Sequence, residues 1–219
     1  MPTELDRSST VFVFPLTHTT LFPATTRPLN VFEPRYIQMV SDALETETEI
    51  AVAFSEPDPE GHLKRRGMDP KAPYFLLQRI SPVCGVGRVH LVERRSDDTM
   101  VILLEATRKV RLSELEVGVT PYIRARAETI YEEPSLSVDA LMTLRRLNQV
   151  FELWLKKTVP DPNARKLFLE KTKDSSDRIN AMASLMLENP VDSQELLDLN
   201  SLSDRVLTLG LTLLDRESH

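Results

Sequence analysis

Cysteine and glycine are both scarce in this chain of 219 residues. A single cysteine, Cys84, excludes an internal disulfide framework and is typical of a reducing compartment. The six glycines include no pair at the spacing of a GxxxxGKS/T phosphate-binding loop. Residues 85–90 (GVGRVH) begin like a dinucleotide-binding GxGxxG motif, but His90 replaces the third glycine and strand-like sequence follows. We interpret this segment as a turn, which argues against nucleotide binding there.

Long apolar runs and clustered histidines are absent as well. No apolar stretch approaches the roughly 18 residues of a transmembrane helix, and the start MPTELDRSST lacks a signal-peptide pattern. The four histidines are dispersed, none is at metal-ligand spacing from another or from Cys84, and no GxSxG elbow occurs. Cys84 fits a small buried residue better than a nucleophile. We therefore expect a cytoplasmic protein with no membrane contact, no metal, no cofactor and no catalytic residues.

The charge balance opposes nucleic acid as the main partner. The net charge is −6 and the pI is about 5.4, whereas phosphate binding requires a basic surface. Apolar residues make up 41% of the chain, which is enough for a buried core. One basic cluster stands out, Lys64, Arg65 and Arg66, inside the proline-rich segment 55–74. Long irregular segments are often functional, so these three residues are weak candidates for partner binding.

The first half of the chain has the pattern of β-structure. Short apolar or alternating runs predict strands at residues 10–16, 49–54, 74–80, 86–95, 99–106 and 122–130. In the last of these Ile123, Ala125 and Ala127 share one face. The segment VFEPRY (31–36) predicts a strand-to-helix junction, because Pro34 suits the first helical turn and Glu33 its positive end. The following helix, 34–45, places an apolar stripe on one face: Tyr36, Met39, Val40, Ala43 and Leu44.

The second half has helical periodicity. From Val138 the apolar residues recur every three to four positions, and Pro160 and Pro162 end this first helix. Either Ser135 or Ser137 could cap it. The predicted core positions of this helix are Leu141, Leu144, Leu147, Val150 or Phe151, and Trp154. Further helices are predicted near 163–172, at 176–188 with Met182 and Met186 in the core, from a capping-box start at Asp192, and at 203–215. The chain is thus predicted to be α+β, with a β lobe at 1–131 and an α-helical lobe at 132–219.

Residues 14–44 resemble the opening signature of the Lon N-terminal domain, the substrate-recognition region of ATP-dependent Lon proteases. The signature runs through FPL, LFP and FEPRY, here Phe14, Pro15, Phe22, Pro23, Phe32, Glu33, Pro34, Arg35 and Tyr36. Weaker matches follow at Arg108 in EATRKVRL, at Pro121 and Tyr122, and along 175–186 and 193–214. Ala106 departs from the family pattern, which has glycine there, and the segment 55–74 is longer than usual.

This resemblance implies both a fold and a function. The fold is a PUA-like β-barrel or sandwich lobe with one early helix, followed by a C-terminal helical bundle. The function is non-catalytic recognition of peptide or unfolded protein segments, since neither an ATPase motif nor a serine–lysine peptidase motif is present. A role as an adaptor for proteolysis is a further hypothesis, and the oligomeric state stays open. Within the signature we expect Phe32 and Tyr36 in the core, with Glu33 and Arg35 satisfying polar groups at the junction.

Three alternatives carry less support. A small-molecule-binding or regulatory module is the first, because related β lobes hold small ligands. RNA binding rests on fold analogy alone and conflicts with the acidic balance. An enzyme in its own right lacks any nucleophile–base or metal pattern.

Overall fold

The computed structural model describes residues 8–57, 77 and 79–214. The chain divides into two compact units, Met1–Ile130 and Tyr131–His219, one residue from the predicted boundary. The first unit is β-rich and the second is helical, which confirms the predicted α+β class. The described part of the first unit contains β1 (Ser8–Leu16), β2 (Thr26–Val31), α1 (Pro34–Thr46), β3 (Ile50–Phe54), β4 (Val83–Arg94), β5 (Met100–Glu116) and β6 (Ile123–Thr129).

The six strands form one sheet that closes on itself. The strand order is β2-β5-β4-β3-β1-β6, and β5 also pairs with β6. Strand β5 is 17 residues long, so its first part pairs with β2 and its second part pairs with β6. The β1–β3 pair is parallel and the other pairs are antiparallel. The β-barrel prediction is confirmed, although the predicted strand 99–106 covers less than half of β5.

Side chains alternate between the two faces of each strand, and the buried apolar ones form two clusters. Phe12 and Phe14 of β1 join Met39 and Val40 of α1 in one cluster, so the predicted packing of α1 on the β lobe is confirmed. The residues that alternate with these along the strands point to the other side of the sheet and form the second cluster. It includes Val11, Val13, Ala51, Ala53, Cys84, Ile123, Ala125 and Ala127. Two aromatic contacts reinforce the first cluster: the ring centroids of Phe12 and Tyr122 lie 4.9 Å apart, and those of Phe14 and Tyr36 lie 4.6 Å apart.

Two strand assignments differ from the sequence prediction. The periodicity does not predict β2, because Pro28 interrupts it, but an edge strand tolerates proline where no ladder N–H is needed. The predicted strand 74–80 is wrong where the structure describes it. There Leu77 is helical and Ile80 forms only an isolated antiparallel bridge to Ser55. The remaining positions, apart from Arg79, lie outside the described residues.

The segment GVGRVH is a strand and not the predicted turn. Gly85 and Gly87 lie within β4, where two backbones approach closely. A Cβ at Gly85 would lie 1.8 Å from the carbonyl oxygen of Leu21, and one at Gly87 would lie 2.6 Å from that of Glu105. Both glycines are therefore explained by close backbone approach and not by turn geometry.

We expect Gly85→Ala to destabilise the first unit by about 3 kcal/mol or more, because a rigid backbone oxygen occupies the position of the new methyl group. Urea unfolding followed by circular dichroism measures this. Gly118→Ala is the control: its φ of 86° adds strain, but no atom lies within 4 Å of the new Cβ. The expected cost there is about 1 kcal/mol. Equal costs for the two variants would contradict the packing explanation.

The second unit is a set of helices: α2 (Val138–Thr158), α3 (Pro162–Lys171), α4 (Ser175–Met186), α5 (Pro190–Asp198) and α6 (Leu202–Leu214). Ser137 is the residue that caps α2, since its Oγ accepts from the Ala140 N–H at 3.2 Å. The capping box at Asp192 is wrong. Helix α5 begins earlier, because Asn189 Oδ1 accepts from the Val191 N–H and Pro190 occupies the first turn.

The core positions of α2 agree with the prediction in the middle of the helix and differ at its ends. Leu144, Leu147 and Phe151 are buried as predicted, whereas Leu141 is exposed and Ala140 and Leu155 are buried in addition. Trp154 is half-buried and stacks on Phe151 with ring centroids 6.0 Å apart. In α4, Met182 is fully buried, whereas Met186 is half-buried. The periodicity fixes the spacing of the stripe, but packing decides which of two neighbouring positions at each end faces the core.

A buried arginine anchors the second unit. Arg205 of α6 is 0% exposed and donates to both carboxylate oxygens of Glu132, at 2.9 and 2.8 Å. It also donates to Asn180 Oδ1 of α4. Burial lowers the pKa of Arg205, and the charge of Glu132 opposes this effect. The pair therefore ties the segment that precedes α2 to α4 and α6.

We expect Arg205→Met to lower the free energy of unfolding of the second unit by about 3 kcal/mol, because Glu132 loses its counter-charge. Thermal unfolding by calorimetry measures the loss. Arg146→Met is the matched control, since Arg146 is an exposed residue of α2. Equal stability of the two variants would show that the buried pair contributes nothing net.

Candidate binding pocket

A pocket of about 630 Å³ opens in the first unit. It lies where the end of β1, the strand β2 and the start of α1 meet. Residues 14–19 and 27–33 supply most of the lining, and Arg35, Tyr36, Ser55 and Arg79 add to it. The sequence signature FPL to FEPRY therefore borders a single concave site, which is the usual form of a ligand-binding site.

Phe32 stands at the pocket with its ring facing outward. Its side chain is 66% exposed, so the prediction that Phe32 belongs to the core is wrong. Tyr36 is 6% exposed and belongs to the apolar cluster, as predicted. The helical period predicted burial for Tyr36 alone, since Phe32 follows β2 and precedes α1, outside both periodic elements. An exposed aromatic side chain beside a pocket is typical of a recognition surface.

Glu33 and Arg35 form the junction between β2 and α1. Arg35 Nη2 lies 3.0 Å from Glu33 Oε2, and the Arg35 guanidinium lies 4.5 Å from the centroid of the Tyr36 ring. Glu33 is the N-cap residue of α1, but its side chain makes no capping hydrogen bond. Burial raises the pKa of Tyr36 to about 12, with Arg35 acting in the opposite direction, so the phenol stays neutral at physiological pH.

The described lining is basic. Arg27, Arg35 and Arg79 contribute three positive charges, and Glu33 contributes one negative charge. Arg27 is half-buried, and this burial lowers the pKa of its guanidinium. Arg79 Nη1 donates to the carbonyl oxygen of Glu56 at 3.1 Å. The described lining residues therefore carry a net positive charge, in contrast to the chain as a whole, whose net charge is −6.

Ser55 adds a buried hydroxyl to the wall. The residue is 2% exposed, and its Oγ has no hydrogen-bond partner within the described part of the chain. Its backbone is tied down, because its N–H donates to the Leu16 carbonyl oxygen at 2.9 Å. Buried hydroxyls almost always have a partner, so this one is a candidate ligand contact.

The other signature residues have structural positions. Phe14 and Pro15 line the pocket, whereas Phe22 is buried without lining it and Pro23 is half-buried. Pro121 is exposed.

Tyr122 is buried, and its hydroxyl donates to Asp42 Oδ2 at 2.6 Å. Since Asp42 lies on α1, Tyr122 fastens α1 to the segment before β6.

Arg108 links three parts of the barrel. Its guanidinium bonds Glu49 and donates to Ser9 Oγ at 2.9 Å, so β5 is joined to β1 and to the residue before β3. Ala106, which stands where the family pattern has glycine, is a buried residue of β5.

The basic cluster of the sequence prediction lies outside the described residues. Lys64, Arg65 and Arg66 therefore stay a prediction. The structure instead brings together Arg27, Arg79 and Ser55, none of which has a motif of its own. Arg27 lies between the LFP and FEPRY motifs, and this position in the sequence could have indicated that it is a site residue.

Cys84 is not a reactive thiol, and the described residues form no metal site. Cys84 is fully buried, and burial raises the pKa of its thiol, which keeps it protonated. Across residues 8–57, 77 and 79–214, no three His, Cys, Asp or Glu side chains are grouped as a metal site would require. None of the helices in these ranges combines the length and the apolar character needed to cross a bilayer.

These features define the chain as an α+β domain with a barrel and a pocket built from its N-terminal signature. The family model of the ATP-dependent protease La (LON) substrate-binding domain matches residues 10–216, so the chain belongs to this family. The resemblance noted in the sequence is thus confirmed.

Individual relatives agree with this assignment. A Lon protease of Syntrophus aciditrophicus (strain SB) is 20% identical over 202 residues, which cover 91% of this chain and 24% of that protein. The chain therefore spans about a quarter of the length of this relative.

Two solved structures share the fold. The Lon N-terminal domain protein from Xanthomonas campestris matches with a TM-score of 0.59 at 18% identity, over 92% of this chain and 96% of that one. The N-terminal domain of the Mycobacterium avium complex Lon protease matches with a TM-score of 0.66 at 13% identity, over the same shares.

We expect Arg35→Ala to lower the free energy of unfolding by about 1–2 kcal/mol, because it removes the ion pair with Glu33 and the contact with the Tyr36 ring. Glu33→Ala, which keeps the ring contact, is expected to cost less. Thermal melting of both variants measures this. An unchanged melting temperature for Arg35→Ala would contradict the structural role.

Proposed function

We propose that this chain binds extended polypeptide segments of other proteins in the pocket beside Phe32, without hydrolysing them. The observation that carries the proposal is an exposed aromatic side chain next to a pocket of about 630 Å³ built from the family signature. Membership of a substrate-binding family supports it. Capture without hydrolysis is also what an adaptor for a separate protease requires, and we include that role in the proposal.

The edge of β2 supports an extended conformation of the bound segment. Among the described strands β2 pairs with β5 alone. The Ala106 N–H donates to the Thr25 carbonyl oxygen. This bond identifies which residues of β2 direct their backbone N–H and C=O groups toward β5. Since β residues alternate, residues 27, 29 and 31 direct their backbone groups toward β5.

The residues between them, Thr26, Pro28 and Asn30, direct their backbone groups to the other side and are exposed. An extended segment can add to such an edge as a further strand, gaining main-chain hydrogen bonds. Pro28 lacks an N–H, so the edge offers its carbonyl alone at this position. The edge and the pocket share residues 27–31, so one segment can use both.

We expect Phe32→Ala to weaken binding about tenfold without changing the melting temperature, because the ring is exposed and contributes little to folding. The measurement is fluorescence anisotropy with a labelled test protein kept unfolded by reduction and S-alkylation.

Val92→Ala is the control, since Val92 is 65% exposed on β4 and does not line the pocket. It is expected to bind as the unmodified chain does. Absence of binding by the unmodified chain, or equal binding by Phe32→Ala, would refute the proposed site.

A further inference from the structure

We infer that the pocket selects segments in which an Asp or Glu side chain and an apolar side chain are separated by one intervening residue. This inference rests on the proposed function and specifies its substrate class. It follows from the charge of the lining, from the spacing of residues on β2 and from the buried hydroxyl of Ser55.

The charge of the lining favours a carboxylate. Arg27, Arg35 and Arg79 line the pocket, and Glu33, which pairs with Arg35, is the one acid among the described lining residues. The start of α1 is also at this wall, and the N-terminal end of a helix attracts negative charge. In a partly desolvated wall such attractions are stronger than at an open surface. The same arginines would repel a cationic side chain that entered the pocket.

Ser55 supplies a neutral hydrogen bond at the same wall. Its buried Oγ has no partner within the described residues, and a hydroxyl can donate to a carboxylate oxygen. A carboxylate leaving water needs both a counter-charge and hydrogen-bond donors. The pocket offers the counter-charge through its arginines and a donor through Ser55.

The spacing on β2 explains the second part of the pattern. Arg27 and Leu29 are two residues apart, so their side chains emerge on the same face of the strand, and both line the pocket. A segment added along the edge of β2 presents its own side chains with the same period of two. Its residue beside Arg27 is therefore best acidic and its residue beside Leu29 best apolar. The order along the segment is Glu-x-Leu if the segment runs parallel to β2 and Leu-x-Glu if it runs antiparallel. Adjacent acidic and apolar residues would point to opposite faces and could not satisfy both contacts.

The test uses synthetic peptides that are acetylated and amidated, so that no terminal charge remains. One carries Glu-x-Leu, a second carries Gln-x-Leu, and a third carries Glu-Leu-x with the same composition as the first. A fourth carries Leu-x-Glu, and if it binds more tightly than Glu-x-Leu, the bound segment runs antiparallel to β2 and this peptide replaces Glu-x-Leu in the comparisons below. Competition against the labelled unfolded protein measures binding. We expect Glu-x-Leu to bind about tenfold more tightly than Gln-x-Leu or Glu-Leu-x at low salt. The advantage should shrink as the salt concentration rises.

Substitutions of pocket residues test whether the preference for the acidic peptide arises in this pocket. Arg27→Gln, Arg79→Gln and Ser55→Ala should each reduce the advantage of Glu-x-Leu over Gln-x-Leu, while binding of Gln-x-Leu stays unchanged. Arg146→Gln makes the same charge change on an exposed residue of α2 and should retain the full advantage. Because Arg27 is partly buried, Arg27→Lys is a second variant that keeps the charge and should retain much of the preference.

The outcomes separate the inference from the proposed function. If Glu-x-Leu and Gln-x-Leu compete equally well, the acidic preference is wrong and peptide binding stands. If Glu-x-Leu and Glu-Leu-x compete equally well, the strand register is wrong. If a free C-terminus on Gln-x-Leu restores tight binding, the pocket takes a terminal carboxylate and the inference is overturned. If no peptide and no unfolded protein binds, the proposed function fails as well.

Discussion

Strand β5 has to satisfy three neighbouring strands, and the arrangement of the first unit depends on this. Along one edge it pairs with β4, and along the other edge it pairs first with β2 and then with β6. Every backbone N–H and C=O in the ladder needs a partner, so a 17-residue strand leaves little freedom in where these neighbours lie. Among the described strands β2 pairs with β5 alone, and residues 27–31 line the pocket together with the start of α1. The pocket therefore follows from how the barrel closes.

The signature VFEPRY has two roles that its sequence does not separate. Tyr36 lies in the apolar cluster, and the ion pair between Glu33 and Arg35 holds the junction from which α1 starts. Phe32, one residue earlier, is turned outward at the pocket. The same few residues thus hold the helix in place and present an aromatic ring to solvent.

Much of the fold could be predicted from local pattern, and the exceptions have physical causes. The α1 stripe from Tyr36 to Ala43 and the alternation of Ile123, Ala125 and Ala127 reappear as buried faces, since both periods are properties of the backbone itself. Leu44, at the end of the predicted stripe, is exposed. The strand β2 was hidden by Pro28, and the glycines of GVGRVH suggested a turn where a strand passes close to Leu21. Proline and glycine occur in turns, but proline also occurs in edge strands and glycine where another backbone passes close to a strand. Only the position of the neighbouring segment distinguishes these cases. The wall residues Arg27, Arg79 and Ser55 could not be grouped from sequence, because they are far apart along the chain.

By itself the sequence determined the α+β class, the main helices and membership of the Lon substrate-binding family, because periodicity and the ordered FPL, LFP and FEPRY motifs are local properties. Tertiary structure alone decided which side of that motif faces solvent, which arginines share a wall with Ser55 and which of the described strands pairs along one edge only. These are relations between distant segments, set by barrel closure and core packing, and no single stretch of sequence contains them.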